Sequence, residues 1–359
     1  MAASSPNEES TLSRAEFPLP RVPVILGPMA GGAGTPALAA AVSNAGGLGF
    51  LAAGYKNAAK LGEQIDQLRQ LTSADFGVNL FVPEIDEPDP AGVRAYRERI
   101  STTAHELGAE PGDPLWTDDD WEAKVALLLA DPVPVVSFTF GCPPADVVSS
   151  LHDVGSAVVG TVTGVAEAEQ AQAAGVDALC VQGSEAGGHQ ASFNDAEERT
   201  TPLVDLLTAV RGRSSLPLIG AGGVMNAEHV RAVLDAGAVA AQLGTAFLRA
   251  AESGANPGHK DALVDPRYSE TAVTRAFSGR RARGLVNSFM REHDAQAPAN
   301  YPHVHYLTAP LRAAAGKAGD IDRLNLWAGT RHELAEARPA GEIVAAVADR
   351  LATQSDRGQ

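Results

Sequence analysis

The chain of 359 residues is 45% hydrophobic and 20% charged, the composition of an ordinary globular protein with a sizeable core. Its 28 Lys and Arg residues against 44 Asp and Glu residues give a net charge of −16. This charge excludes the basic surface typical of proteins that bind nucleic acid or an anionic membrane. The two cysteines, Cys142 and Cys180, are far apart in sequence, so we expect neither a disulfide framework nor a cysteine-based metal site.

The amino terminus and the apolar runs bear on the cellular compartment. Residues 1–16 are rich in Ser and Glu and lack the apolar core of a signal peptide. No apolar run approaches the ~18 residues that span a bilayer. We therefore expect a cytoplasmic protein in which residues 1–19 form a disordered tail.

Short runs rich in Val, Ile, Leu and Ala alternate with Ala-rich helical segments along the chain. The runs are continuous rather than alternating, which is typical of parallel strands buried on both faces. Strands are predicted at 22–26, 48–52, 76–81, 133–140, 157–162, 178–182, 217–220 and 238–243. Helices are predicted at 36–44, 165–174 and 227–236, each followed by glycine. This pattern predicts a TIM (β/α)8 barrel over residues 20–250, with a doubly wound sheet as the alternative.

Two segments exceed the repeating barrel unit. Residues 83–131 form an insertion after the third strand, with a charged helix at 93–107 and an acidic turn at 118–120. Residues 251–359 carry helical patterns at 282–290, 311–318 and 340–351, and we expect them to pack on the barrel as a C-terminal helical cap. The sequence leaves open which of the two segments closes the pocket.

The active site of a TIM barrel lies at the carboxyl ends of the strands. The loops after the seventh and eighth strands, which often bind phosphate in this fold, contain Gly222, Gly223, Gly244 and Thr245. Backbone N–H groups of glycine and a helix dipole suit a phosphate without Lys or Arg. The sequence therefore predicts a phosphate-bearing ligand at these two loops.

Three polar side chains lie at or just after the carboxyl ends of other strands. Asn79 and Gln182 carry amides that can hydrogen-bond the polar edges of a ring system. His189 closes the glycine-rich loop after the sixth strand, and an imidazole with an ordinary pKa of ~6.5 suits proton abstraction. We interpret His189 as the candidate general base.

Two further motifs resemble a dinucleotide-binding loop and a metal site, but their context does not support either function. Residues 47–52 match the dinucleotide pattern G-x-G-x-x-A, but their glycines precede a strand instead of following one. His303 and His305 could suggest a metal, yet no carboxylate or cysteine is near them in sequence, so a structural or pocket-rim role is favoured. We predict no metal site.

Six motifs, taken together and in order, resemble the nitronate monooxygenase family, formerly called 2-nitropropane dioxygenase. They are GPMAGG at 27–32, SNAGGLG at 43–49, GVNL at 77–80, QGSEAGGH at 182–189, GAGG at 220–223 and QLGT at 242–245. Tyr-Pro at 301–302 and Leu-Trp-Ala-Gly at 326–329 extend the resemblance over residues 20 to 330.

The resemblance implies a TIM barrel that binds FMN and oxidises a small alkyl nitronate, or a nitroalkane, with O₂ to a carbonyl compound and nitrite through a flavin semiquinone. His189 matches the general base of the family, and Thr139 and Tyr301 match substrate-binding positions. The residues implied in FMN binding are Pro28, Met29, Asn79, Gln182, Gly187, Gly188, Gly222, Gly223, Gln242, Gly244 and Thr245. Some relatives carry a second histidine where this chain has Thr139, which leaves the substrate preference open. A homodimer is also left open.

Two alternatives remain at this point. An FMN-dependent enoyl-acyl-carrier-protein reductase shares the Gly-Gly-His loop, and a basic patch formed by Arg275, Arg280, Arg281 and Arg283 could receive its acidic carrier. Without a carrier protein, the expected role of these arginines is phosphate binding or surface salt bridges. The second alternative is a flavin-binding barrel without turnover.

Overall fold

The computed structural model describes residues 17–85 and 88–355, so residues 1–16 of the predicted tail lie outside it. In chain order the strands are β1 (Val24–Leu26), β2 (Gly49–Ala52), β3 (Phe76–Phe81), β4 (Val135–Thr139), β5 (Ala157–Val162), β6 (Ala178–Gln182), β7 (Gly188–His189), β8 (Leu218–Ala221), β9 (Ala240–Leu243), β10 (Thr271–Thr274) and β11 (Ala282–Leu285). All strands except β7, β10 and β11 form one parallel sheet in the order β1-β9-β8-β6-β5-β4-β3-β2.

The edges of this sheet meet at β1 and the start of β2. Ile25 pairs with Leu48 in a parallel bridge. The backbone N–H of Leu26 donates to the carbonyl oxygen of Leu48 at 2.9 Å, and the N–H of Leu48 donates to Val24 at 3.0 Å. The sheet is therefore closed into the predicted TIM barrel, and the doubly wound alternative is excluded.

The helices fall where the sequence breaks the strand pattern. They are α1 (Pro36–Asn44), α2 (Ala58–Leu71), α3 (Pro90–Glu106), α4 (Trp121–Ala130), α5 (Ala145–Asp153), α6 (Val165–Ala173), α7 (Leu203–Arg211), α8 (Ala227–Asp235), α9 (Thr245–Leu248), α10 (Pro257–Ala262), α11 (Ser288–His293), α12 (His303–Ala318) and α13 (Ala340–Ser355). In α1, the Thr35 side chain accepts a hydrogen bond from the Leu38 N–H at 3.0 Å, and Pro36 opens the first turn.

The barrel interior is filled by small and branched side chains that point inward from the strands. Phe17 lies in the same apolar cluster and is 7% exposed, so the chain is already part of the barrel core at this residue of the predicted tail. The inward residues are Ile25, Leu48, Phe50, Val135, Val159, Ala178, Cys180, Ile219, Ala221 and Ala240. The barrel is thus a packed core, and its ligand space lies at one end rather than through its centre.

The insertion and the C-terminal segment together form one cap. Helix α3 of the insertion packs with α11 and α12 in a second apolar cluster, which includes Tyr96, Phe277 and Phe289. The Tyr96 hydroxyl donates to the carbonyl oxygen of Ala276 at 2.7 Å. Because the two segments share one core, neither of them covers the barrel alone.

The last helix belongs to the barrel wall rather than to this cap. Helix α13 packs against α1 and α8, with Val344 fully buried among barrel residues. It occupies the place of the outer helix that follows the last barrel strand, because α9 has only four residues. The C-terminal segment therefore supplies both cap helices and part of the barrel.

One predicted helix, at 282–290, is wrong. Residues 282–285 form β11, which pairs with β10 on one side and with β7 on the other. A helix begins only at Ser288, where the Asn287 side chain accepts from the Met290 N–H at 3.1 Å. The strand partners come from distant parts of the chain, so tertiary pairing overrides the local helical pattern.

Candidate active site

A cavity of about 760 Å³ opens at the carboxyl ends of the barrel strands, beneath the cap. Of the sequence-predicted site residues, all but Tyr301 lie in its wall: Pro28, Met29, Asn79, Thr139, Gln182, Gly187, Gly188, His189, Gly222, Gly223, Gln242, Gly244 and Thr245. Residues from six barrel strands and the loops that follow them thus converge on one space.

Glycine shapes the part of the cavity next to β8 and β9. Gly222 and Gly223 have φ angles of +117° and +65°, which side chains with a Cβ rarely adopt. A Cβ on Gly244 would meet no protein atom within 4 Å, so this backbone borders open space. The Thr245 hydroxyl accepts from the Gly329 N–H at 3.0 Å, which ties the β9 loop to the C-terminal segment. The result is a wall of exposed backbone that a ligand can approach closely.

Asn79 is held at the end of β3 with a defined orientation. Its Oδ1 accepts hydrogen bonds from the hydroxyls of Ser137 at 2.8 Å and Thr139 at 2.9 Å. Both hydroxyls come from β4, the neighbouring strand, and Asn79 is 2% exposed. Because the oxygen takes both donors, the NH₂ group is the part of this amide available to donate elsewhere.

Gln182 holds the strand that carries His189. Its Nε2 donates to the carbonyl oxygen of His189 at 3.3 Å, and its Oε1 accepts from the Ala191 N–H at 2.8 Å. Both ends of the amide therefore form hydrogen bonds with the backbone, one at His189 and the other at Ala191. The sequence predicted a ligand contact here, and the structure adds a positioning role.

His189 lies in the cavity wall with its ring nitrogen fixed. Its Nε2 is 2.8 Å from the Ser278 hydroxyl oxygen, and its ring is flanked by those of Phe140, Tyr301 and Trp327 at centroid distances of 5.7, 5.9 and 5.5 Å. Burial, followed by the positive charge of Arg312, lowers the pKa of His189 to about 4. The imidazole is thus neutral at physiological pH, but it is a weaker base than its ordinary pKa would make it.

Tyr301 stands behind this histidine rather than in the cavity wall. Its ring lies 5.7 Å from that of Phe140, and its hydroxyl donates to the Tyr55 hydroxyl oxygen at 3.2 Å. Tyr55 does line the cavity, where its ring stacks on that of His305 at 4.0 Å. The two tyrosines and His305 form an aromatic group beside His189.

The acidic turn at 118–120, which the sequence left without a role, positions Tyr55. Oδ1 of Asp119 accepts from the Tyr55 N–H at 2.8 Å, and Tyr55 has a φ of +64°. Asp119 also pairs with the buried Lys124 at 2.7 Å. A tyrosine in this strained conformation at the end of β2 indicates that the surrounding contacts impose it.

The cap contributes Ser278, His305, Arg312 and Trp327 to the cavity wall. Of these, Ser278 and Arg312 were missed, because no local sequence motif marks them. For His305, the predicted pocket-rim role agrees with its position in the wall. Within the described residues, no group of three or more His, Cys, Asp and Glu side chains could hold a metal ion.

The four arginines considered as a basic patch are engaged within the protein. Arg275 pairs with Asp195 at 2.7 Å, and Arg281 donates to the carbonyl oxygen of the same aspartate. Arg280 is fully buried, pairs with Glu84 and lies over the Phe140 ring at 4.1 Å. Arg283 donates to the Ser184 carbonyl oxygen at 3.0 Å. Arg275 agrees with the salt-bridge interpretation, whereas Arg280 forms a buried ion pair and Arg281 and Arg283 bond backbone carbonyl oxygens. Each of the four arginines thus has a protein partner, which does not favour a free basic patch for an acidic carrier protein.

The fold and the cavity define an enzyme of the TIM-barrel class, with its site at the carboxyl ends of the strands. The nitronate monooxygenase family model matches residues 18–349, and the chain belongs to this family of oxidoreductases. Within the described residues, no helix combines the length and the apolar character needed to cross a bilayer.

Known proteins support this assignment. Nitronate monooxygenase of Pseudomonas aeruginosa is 42% identical over 344 residues, covering 92% of this chain and 96% of that protein. The crystal structure of nitroalkane oxidase from Streptomyces ansochromogenes is 48% identical with a TM-score of 0.92, covering 95% of this chain and 99% of that one. FabK from Thermotoga maritima is 29% identical with a TM-score of 0.73, covering 94% and 96%. Oxidation of nitronates or nitroalkanes is therefore the supported activity.

Proposed function

We propose that this protein is an FMN-dependent enzyme that oxidises alkyl nitronates with O₂ to a carbonyl compound and nitrite, and that His189 is the general base for any neutral nitroalkane it accepts. One observation carries the proposal: the glycine loops after β8 and β9 and the fixed His189 face the same cavity. The family assignment and the likeness to nitroalkane oxidase support the same chemistry.

The residues present fit a flavin mononucleotide. The backbone at Gly222, Gly223 and Gly244 would hold the phosphate, since a Cβ at Gly244 would intrude into the open space there. Asn79, through its NH₂ group, and Gln242 would hydrogen-bond the ring system, which would lie against Pro28 and Met29. A cavity of about 760 Å³ has room for a ligand of this size and a small substrate. When bound, FMN supplies the electron-transfer chemistry, and the protein supplies orientation and electrostatics.

His189 would accept the proton of a neutral nitroalkane substrate. When the Ser278 hydroxyl donates to the Arg280 carbonyl oxygen, 3.1 Å away, it accepts from Nε2–H of His189. This tautomer is an assignment from the hydrogen-bond network, and it leaves the lone pair on Nδ1 to take a proton. Since the lowered pKa of about 4 makes a weak base, the site favours a nitronate, which is already deprotonated, over a neutral nitroalkane.

The test is spectroscopic and then kinetic. Purified protein should show a flavin spectrum, which an anaerobic titration with propyl-2-nitronate should change, and air should then release nitrite. Flavin that ignores nitronate but bleaches with NADH would move the assignment to the reductase. Flavin that responds to neither would indicate a binding protein without turnover, and a chain that takes up no FMN would contradict the proposal entirely.

A His189→Ala variant separates the base from the binding site. It should retain FMN, lose most activity with neutral 2-nitropropane, and keep more activity with the nitronate, because only the neutral substrate needs a proton removed. General-base catalysis contributes about 10²- to 10⁴-fold, which sets the expected loss. The cytoplasmic location and the homodimer remain predictions from the sequence.

A further inference from the structure

The cavity wall has a charge opposite to that of the chain. The protein carries a net charge of −16, yet no Asp or Glu side chain is among the described residues that line this cavity. Its cationic side chains are Arg312 and Lys317, both on α12. A cavity that excludes carboxylates in so acidic a protein is suited to an anionic ligand.

Arg312 is anchored but lacks a counter-charge. Its Nε donates to the Thr308 hydroxyl at 3.1 Å, and its Nη2 donates to the His305 carbonyl oxygen at 2.8 Å. Within the described residues it forms no ion pair, and no protein group accepts a hydrogen bond from Nη1. A guanidinium has five N–H donors, so two donors at Nη1 remain for a ligand in the cavity. The contacts along α12 fix the direction of these donors.

Arg312 lines the same cavity as the proposed base and acts on it electrostatically. Its positive charge is among the causes that lower the pKa of both His189 and His305, and burial lowers the pKa of Arg312 itself to about 10. The guanidinium is therefore charged at physiological pH, while the two imidazoles beside it are neutral. Of the two cations that line the cavity, Arg312 is the one whose charge acts on His189, so it can balance a negative charge beside the imidazole.

We propose that Arg312 is a substrate-binding residue that holds the nitro-group oxygens of a nitronate anion through Nη1 and thereby selects the anion over the neutral nitroalkane. This inference rests on the proposed function. The glycine loops that suit a phosphate follow β8 and β9, whereas Arg312 contacts His305 and acts on His189 and Tyr55, at the β6 and β2 loops. The anion held by Arg312 is thus the substrate and not the cofactor phosphate.

Binding of sodium nitrate to the purified flavin-loaded protein tests the anion site without turnover. Nitrate is an inert planar anion that presents two oxygens as the nitro end of a nitronate does. Calorimetry should show that Arg312→Met weakens nitrate binding about tenfold to a hundredfold, the range of a lost charge-assisted hydrogen bond. Arg312→Lys should recover most of the affinity. Arg213→Met, which removes a surface cation that pairs with Glu169 at 3.3 Å and does not line the cavity, should leave it unchanged.

Steady-state kinetics test the selection. The ratio of kcat/KM for propyl-2-nitronate to that for 2-nitropropane should fall about tenfold or more in Arg312→Met, mainly through KM. An equal loss for both substrates would show a merely structural role and overturn the inference. So would nitrate binding that is absent in the wild type or unaffected in Arg312→Met, or a loss of FMN from that variant, which would assign Arg312 to the cofactor.

The two proposals can fail separately. Nitrate binding that depends on Arg312 in a protein that does not oxidise nitronates would overturn the proposed function and leave the anion site in place. Nitronate oxidation that Arg312→Met leaves unchanged would overturn the role of Arg312 and leave the proposed function in place.

Discussion

His189 and Ser278 lie 89 residues apart in sequence, yet Nε2 of the histidine is 2.8 Å from the hydroxyl oxygen of the serine. The histidine belongs to a barrel loop, whereas the serine follows β10 in the C-terminal segment. The short strand β7, which carries His189, also pairs with β11 of that segment. The orientation of the proposed base therefore depends on the docking of the C-terminal segment onto the barrel.

Removing the Ser278 hydroxyl should weaken catalysis without removing the base. In Ser278→Ala, we expect kcat for 2-nitropropane to fall about tenfold, because the imidazole loses the contact that fixes its tautomer. The pH profile of kcat should shift as well, which a purely structural loss would not produce. Stopped-flow and steady-state measurements across pH check both effects.

Ser156→Ala is the matched control for that variant. Ser156 is also a fully buried serine, and its hydroxyl donates to the Val133 carbonyl oxygen at 2.7 Å, away from the cavity wall. Both variants should lose about 1 kcal/mol of stability from a lost hydrogen bond. Similar activity losses in the two variants would contradict the positioning role of Ser278.

Stability should depend on pH through His189. Its pKa is about 4 in the folded protein and ~6.5 when unfolded, so the unfolded chain binds more protons between these values. The contribution of His189 to the free energy of unfolding is therefore complete above pH ~6.5. It should decrease by up to about 3 kcal/mol as the pH drops toward 4. In His189→Asn this contribution should disappear. Denaturant titrations of flavin-free protein from pH 4 to 7 measure it, and parallel curves for the two proteins would refute the assigned shift.

Substitutions at two glycines should separate ligand space from backbone packing. A Cβ on Gly244 meets no protein atom within 4 Å, so Gly244→Ala should keep the unfolding temperature of flavin-free protein within about 1 °C while weakening FMN binding about tenfold. A Cβ on Gly187 would overlap the backbone of Ala328 and Gly329. Gly187→Ala should therefore lower both the unfolding temperature and the affinity for FMN. Calorimetry and flavin titration check this, and unchanged FMN affinity in Gly244→Ala would place the cofactor elsewhere.

The ring of Tyr301 should matter more than its hydroxyl. That hydroxyl contacts Tyr55, whereas the ring packs edge-on against Phe140 and His189. Tyr301→Phe should therefore change kcat/KM for nitronate less than about threefold, while Tyr301→Ala opens a cavity beside the base and should cost about 3 kcal/mol of stability and tenfold or more in kcat. A large loss in Tyr301→Phe would instead make the hydroxyl a direct substrate contact.

The barrel was predictable because its signal is local. A parallel strand buried on both faces needs an apolar residue at nearly every position, and the predicted strand at 76–81 matches β3 residue for residue. The glycine loops were equally visible, because backbone at a barrel rim must turn sharply and leave room for a ligand. Asn79, Gln182 and His189 followed from their positions at or just after the carboxyl ends of strands.

The cap obeyed no such local rule. Residues 282–290 carry a helical pattern, yet residues 282–285 form a strand that pairs with β10 and β7. The local sequence does not show this pairing. For the same reason Tyr55, Ser278 and Arg312 gave no signal, since their roles arise only when the acidic turn, the C-terminal segment and α12 meet over the barrel. The sequence by itself determined the barrel and its rim, because continuous apolar strands and glycine turns are written in neighbouring residues. Only the tertiary structure decided what surrounds His189, because long-range packing alone brings those side chains together.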